Sequence, residues 1–169
     1  MSATATIALQ FCHGPGIVSE AIGWFTQAGP DGPTHVDAVM PEGLLGAHLH
    51  ALGGATPGVA VRPFGYARAQ SRFRIEFQVD GKAKARWEEW LRSQCGKPYD
   101  SAAIAGLALG RQWRSAEAWF CSELQLVALE LLRLWPGHVV APACRVSPEM
   151  LFVLCSAFGR VQELGPGPL

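Results

Sequence analysis

Five cysteines and five histidines carry most of the nucleophilic and proton-transfer chemistry available to this chain, and their positions suit them to it very unequally. A cysteine is a nucleophile as thiolate, and the free backbone N–H groups and dipole at the start of a helix favour that anion. Cys121, in the stretch AWFCSEL (residues 118–124), stands at the start of a long helical pattern. Cys12 is followed by His13, but neighbours on extended backbone point to opposite faces and cannot readily bond side chain to side chain. Cys95 falls at a helix end, where the dipole has the wrong sign for a thiolate. Cys144 and Cys155 lie among apolar residues and read as buried thiols. The cysteine count is odd and no C-x-x-C spacing occurs, so neither a disulfide framework nor a cysteine-rich zinc site is expected.

A nucleophilic cysteine needs a base. His35 opens an alternating segment directly after the loop QAGPDGPT, so its ring can project at the end of a sheet, where a helix start could face it. By position alone, the better reading of Cys121 is a small core residue on a helix, and of His35 a satisfied strand-end histidine. His48 and His50 share a face at i and i+2, as two metal ligands would, yet no third ligand has recognisable spacing and no metal or cofactor is expected. The chain has no G-x-S-x-G, Walker-type loop, H-E-x-x-H or G-x-G-x-x-G.

Composition narrows the class. The 169 residues are 49% apolar, enough for one domain with a real core and too few for two. We expect a single domain over 1–164 and a frayed tail, GPGPL, over 165–169. Fourteen basic residues balance fourteen acidic ones, and the arginines are dispersed, which disfavours a nucleic-acid partner. The apolar run from Ala102 to Leu109 is too short for a membrane span, and no positive residue precedes the apolar N-terminal segment, so a cytoplasmic protein is expected.

The elements that must position these side chains follow from periodicity. Strands are expected at TATIALQF (4–11), HVDAVM (35–40), LLGAHLH (44–50), VAVRPF (59–64) and RFRIEFQV (72–79). On the second of these, His35, Asp37 and Val39 share one face, and Val36, Ala38 and Met40 the other. Helices are expected at 18–27, across KAKARWEEWLRSQ (82–94), after Asp100 as cap through 102–110, across FCSELQLVALELLRLW (120–135), and from Ser147 as N-cap with Pro148 as first helical residue to about 157. On the fourth helix Leu124, Val127, Ala128, Leu131 and Trp135 form the apolar stripe. Strands grouped between helices, rather than alternating with them, predict an α+β fold with an antiparallel sheet.

Taken together, THVDAVM, LLGAHL, GVAVRP, GKPYD and, about twenty residues on, WFCSEL resemble the circularly permuted papain-like cysteine hydrolases. This is the YiiX-like branch of the NlpC-type superfamily, related to lecithin retinol acyltransferase, and the resemblance covers roughly residues 10–130. It implies an antiparallel sheet packed on helices, with the histidine strand preceding the cysteine helix. It also implies Cys121 as nucleophile, His35 as general base, and a third polar residue on the strand after the histidine strand. There the chain departs from the pattern, because Gly46 stands where a glutamate is common, and His48 is the nearest polar substitute. Tyr99 and Asp100 fall in the element that lines the cleft, although Asp100 also suits a helix cap. The implied reaction is cleavage of an amide through a thioester, with no cofactor, on a small peptide, amide or lipid substrate. The alternatives are a lipid acyltransferase or thioesterase on the same fold, or a non-enzymatic phage or prophage component with a degraded site, for which the missing glutamate is the best evidence.

Overall fold

The computed structural model describes residues 3–14, 32–102, 117–134 and 142–169. The expected helix at 18–27 and most of that at 102–110 lie outside these residues. The chain is α+β, with a six-stranded antiparallel sheet and three helices among the described residues. The strands are β1 (Thr4–His13), β2 (His35–Met40), β3 (Gly43–His48), β4 (Gly58–Arg62), β6 (Ser71–Asp80) and β7 (Arg160–Glu163), in the order β4-β3-β2-β1-β6-β7. A second, two-stranded sheet pairs β5 (Arg68–Ala69) with β8 (Gly167–Pro168).

Alternation builds the main sheet. Ile7, Leu9 and Phe11 of β1, Val36, Ala38 and Met40 of β2, and Leu45 and Ala47 of β3 all turn into one buried core. The other face is also covered at its centre, where Cys12 and Leu44 meet Ala69 and Leu169. Arg62 staples the open end. Fully buried, its guanidinium donates to the carbonyls of Gly46 on β3, of Gly58 and Ala60 on β4 and of Thr56 just before it, at 3.1–3.2 Å.

Three helices close the core. Helix α1 (Gly81–Ser93) starts where the Asp80 carboxylate accepts from the N–H groups of Lys82 and Ala83, and it buries Ala83, Trp87 and Leu91 at helical spacing. Helix α2 (Cys121–Glu130) packs on β2 and β3. It is buried almost all round rather than along one stripe: Leu124, Leu126, Ala128 and Leu129 are covered, whereas Leu131 lies beyond its end and is half exposed. It is therefore shorter than the expected 120–135, ending at Glu130 with a turn over 131–133. Helix α3 (Pro148–Ser156) has the expected start, with Ser147 Oγ accepting from the Met150 N–H and Pro148 leading. Its Phe152 stands edge-on to Phe11.

Three other expectations are corrected. The first strand runs on through Cys12 and His13, because both continue the pairing with β6. The strand expected to reach His50 stops at His48, and His50 is exposed in the bend that follows. The tail does not fray: Arg72 donates to the carbonyls of Leu164, Gly165 and Pro168, and the Leu169 N–H to Ala67 O, so backbone acceptors with no sequence signature hold it down. This hook and β5 together carry the segment containing Tyr66.

Candidate active site

Strand register assembles the site. Cys12 pairs with His35, and the β2–β3 register that sets Ala38 against Leu45 brings His48 beside His35, with ring centroids 4.0 Å apart. Asp37, two residues along β2, shares the face of His35. Its Oδ1 accepts from His35 Nε2–H at 2.8 Å and from His48 Nε2–H at 3.1 Å, and its Oδ2 accepts from the Tyr66 hydroxyl at 2.7 Å. Asp37 is buried, and these three donors are what make a carboxylate tolerable there.

Gly46 explains the position of this carboxylate. A Cβ built on Gly46 would overlap Asp37 Oδ1, so the place where a glutamate was sought on β3 is filled by the aspartate of β2. Sequence reasoning named His48 as the third member and missed Asp37. The signal was present in the alternation that put His35 and Asp37 on one face. Tyr66, 29 residues from Asp37, had no comparable signal.

Cys121 is the first residue of α2. Its N-cap, Phe120, supplies no side-chain hydrogen bond to the helix start, which leaves the first-turn N–H groups free of a capping side chain. Since His35 Nε2 is taken by Asp37, Nδ1 is the ring atom that remains for its hydrogen bond with the Cys121 thiol. The approach of Tyr99 to this point is built by a short parallel bridge to Trp119: the Trp119 N–H donates to Pro98 O and the Asp100 N–H to Trp119 O, each at 3.0 Å. Asp100 is buried and directly precedes a helical turn at 101–102.

The charges are ordered. Burial works against an imidazolium at His35, but the Asp37 carboxylate and then the Cys121 thiol outweigh it and raise the pKa to about 10. His48 goes the other way, to about 4, through burial and the neighbouring His35 charge, and is neutral at pH 7. Burial would raise Asp37, yet His35 and His48 hold it well below the usual carboxylate range. Burial and then Asp37 push the Tyr66 hydroxyl far up, so it stays a donor. Among the other cysteines, burial raises Cys12 and Cys95 and pushes Cys155 to about 12. His13 turns from Cys12 to Gly32, whose carbonyl accepts from its Nδ1 at 2.9 Å.

A cavity of about 290 Å³ opens beside His35, His48, Tyr66 and Tyr99. Cys121 is fully buried and interacts with His35 and Tyr99, two of the side chains that line it. A larger hollow of about 780 Å³, between α1 and the turn after α2, is lined by residues such as Arg86, Trp90 and Leu131, and among the described residues that line it there is neither cysteine nor histidine.

Among the described residues, His35, Asp37 and His48 are also the set whose donor atoms lie close enough, within 4.8 Å, to share a cation. Both Nε2–H groups aim at one oxygen at 2.8 and 3.1 Å, so an ion bonded to both rings at about 2.0–2.1 Å would have to displace Oδ1 from its packed position. This geometry is that of a proton network. His50, the other half of the histidine pair considered as ligands, is exposed away from the set. No protein-family model matches the chain, and no curated protein matches it.

Proposed function

We propose that this chain is a cysteine hydrolase of permuted papain-like arrangement, cleaving an amide bond through a thioester. The observation that carries this reading is His35, held at Nε2 by a buried carboxylate while its other nitrogen meets a cysteine at a helix start. The order of the parts, histidine strand before cysteine helix, agrees with the resemblance of THVDAVM and WFCSEL.

His35 takes the proton of Cys121 as the sulfur attacks the carbonyl carbon and the S–C bond forms. The oxyanion is received by the backbone N–H of Cys121 at the start of α2. As the C–N bond breaks, His35 gives its proton to the departing nitrogen. Water then adds to the thioester and returns a proton to His35. The C–S bond breaks, the acid leaves, and the proton passes back to the sulfur. Asp37 keeps the imidazole in the required orientation and stabilises its charge. A degraded, non-enzymatic site loses its main support, since the absent glutamate on β3 is matched by Asp37 rather than by a gap.

Thiol reactivity and turnover test this together. With iodoacetamide at pH 6, Cys121 is expected to label faster than the exposed Cys95, with His35→Ala abolishing the difference. Wild-type protein is expected to hydrolyse members of an amide and ester panel that Cys121→Ala leaves intact. Equal labelling of all cysteines, with no turnover of any substrate, would sink the reading.

A further inference from the structure

The cavity beside His35 contains a polar group that the fold itself does not use. Thr34 is 1% exposed and lines the cavity. Its backbone N–H donates to Cys12 O at 3.0 Å, but its hydroxyl has no hydrogen-bond partner among the described residues. A buried hydroxyl without a partner carries a desolvation cost that a methyl group in its place would not, so its presence calls for a ligand or a strained site that uses it.

The surroundings describe the ligand. The cavity is compact, near the lower bound for small-molecule pockets, and much of its wall is apolar: Ala47, Leu49, Leu52 and Leu169, together with a Cys12 thiol that burial keeps neutral. Among the described residues that line it, the side chain with a formal charge besides His35 is Arg68, which is exposed. An ionised group buried against that wall would lose its water and meet only a His35 ring already paired with the Asp37 carboxylate at 2.8 Å. An apolar group with one hydrogen-bond acceptor fits it.

Resting on the acyl-transfer reading above, we propose that this cavity binds a small, uncharged acyl group and that Thr34 Oγ1 donates a hydrogen bond to its carbonyl oxygen. Thr34 is thereby a substrate-binding residue directly before the general base, and it selects neutral acyl groups over charged ones.

Binding of hexanamide to the Cys121→Ala protein, followed by NMR titration, tests this without requiring turnover. Thr34→Val in that background is expected to weaken binding about three- to tenfold, and Thr34→Ser to restore it. Adipamate, the same chain ended by a carboxylate, is expected to bind more weakly than hexanamide. Thr34→Val is also expected to raise Tm, because it removes an unpartnered hydroxyl; a structural hydroxyl would make it fall. The proposal is overturned if hexanamide does not bind, if the valine variant binds as tightly as threonine, or if its Tm drops. Hexanamide binding that depends on Thr34, in a protein that hydrolyses nothing, would remove the hydrolase reading and leave the site. Hydrolysis unaffected by Thr34→Val would remove the site and leave the hydrolase.

Discussion

Asp37 accepts three hydrogen bonds, and each donor does something different. His35 is charged and is the proposed proton carrier, His48 is neutral and bonds the same oxygen, and Tyr66 anchors the second oxygen. Asp37→Asn keeps the shape but removes the charge that stabilises the imidazolium. It is expected to lower kcat by about 100-fold or more, with little change in KM. Tyr66→Phe removes one bond to a charged acceptor, worth about 1.5–3 kcal/mol, and is expected to lower kcat about tenfold while leaving His35 in place. Steady-state kinetics on any substrate the wild type accepts distinguishes the two, and equal kcat for the Asp37→Asn and wild-type proteins would rule out the assigned role. At this scale the sequence disclosed half of the site. Cys121 and His35 are marked by helix start, strand start and chain order. Asp37 was passed over because the resemblance directed the search to β3, although strand alternation already put it beside His35. Tyr66 and Thr34 matter through burial and through contacts, or their lack, across the fold, which no local pattern encodes.

At the scale of elements, β2 and β3 bring two histidines together whose pKa values diverge, and the signs give a pH profile. His48 titrates near 4 when folded and near 6.5 when unfolded, so the unfolded chain takes the proton first and stability falls as pH drops from about 6.5 to 4. His35 is raised to about 10, so its stabilisation is complete below about 6.5 and is lost as pH rises through 10. Asp37, held well below its usual range, contributes at all pH values above about 4 and loses its contribution only on further acidification. From these groups, stability should peak near pH 6.5, each histidine adding a slope of up to about 1.4 kcal/mol per pH unit. Urea unfolding between pH 4 and 10 is expected to show this, and His48→Gln to flatten the acid limb while sparing the alkaline one. An unchanged acid limb would mean that His48 is not held neutral. Five of the six strands of the main sheet were legible in the sequence and α3 from its Ser-Pro start, whereas β7 and the small β5–β8 pair were not. The length of α2 was not, because an apolar pattern continues past Glu130 into the turn that ends the helix.

For the molecule as a whole, the chain's last residues bear on the site twice, through Leu169 in the cavity wall and through the segment that carries Tyr66. They pair with β5 and accept three bonds from Arg72, and β5 follows closely on Tyr66. Deleting residues 165–169 is expected to lower Tm and to reduce kcat by a factor similar to that of Tyr66→Phe. Combined with Tyr66→Phe, it should cost less than the product of the two, since both act in part through one hydroxyl. Fully multiplicative effects in that cycle would show that the hook and Tyr66 work separately. A Gly-Pro-rich end reads as unstructured because its fixing bonds go to main-chain carbonyls, which composition does not reveal.

The placement of Asp37 has a mechanical consequence. An acid and a base on neighbouring strands keep their spacing only while the two strands keep their alignment, so any shear of one past the other separates them. Here both sit on β2, two residues apart, with Gly46 making room on the strand alongside. Their spacing is fixed by the repeat of one continuous backbone. A change in alignment at the β2–β3 seam would therefore alter the contact with His48 and leave the spacing of His35 and Asp37 unchanged.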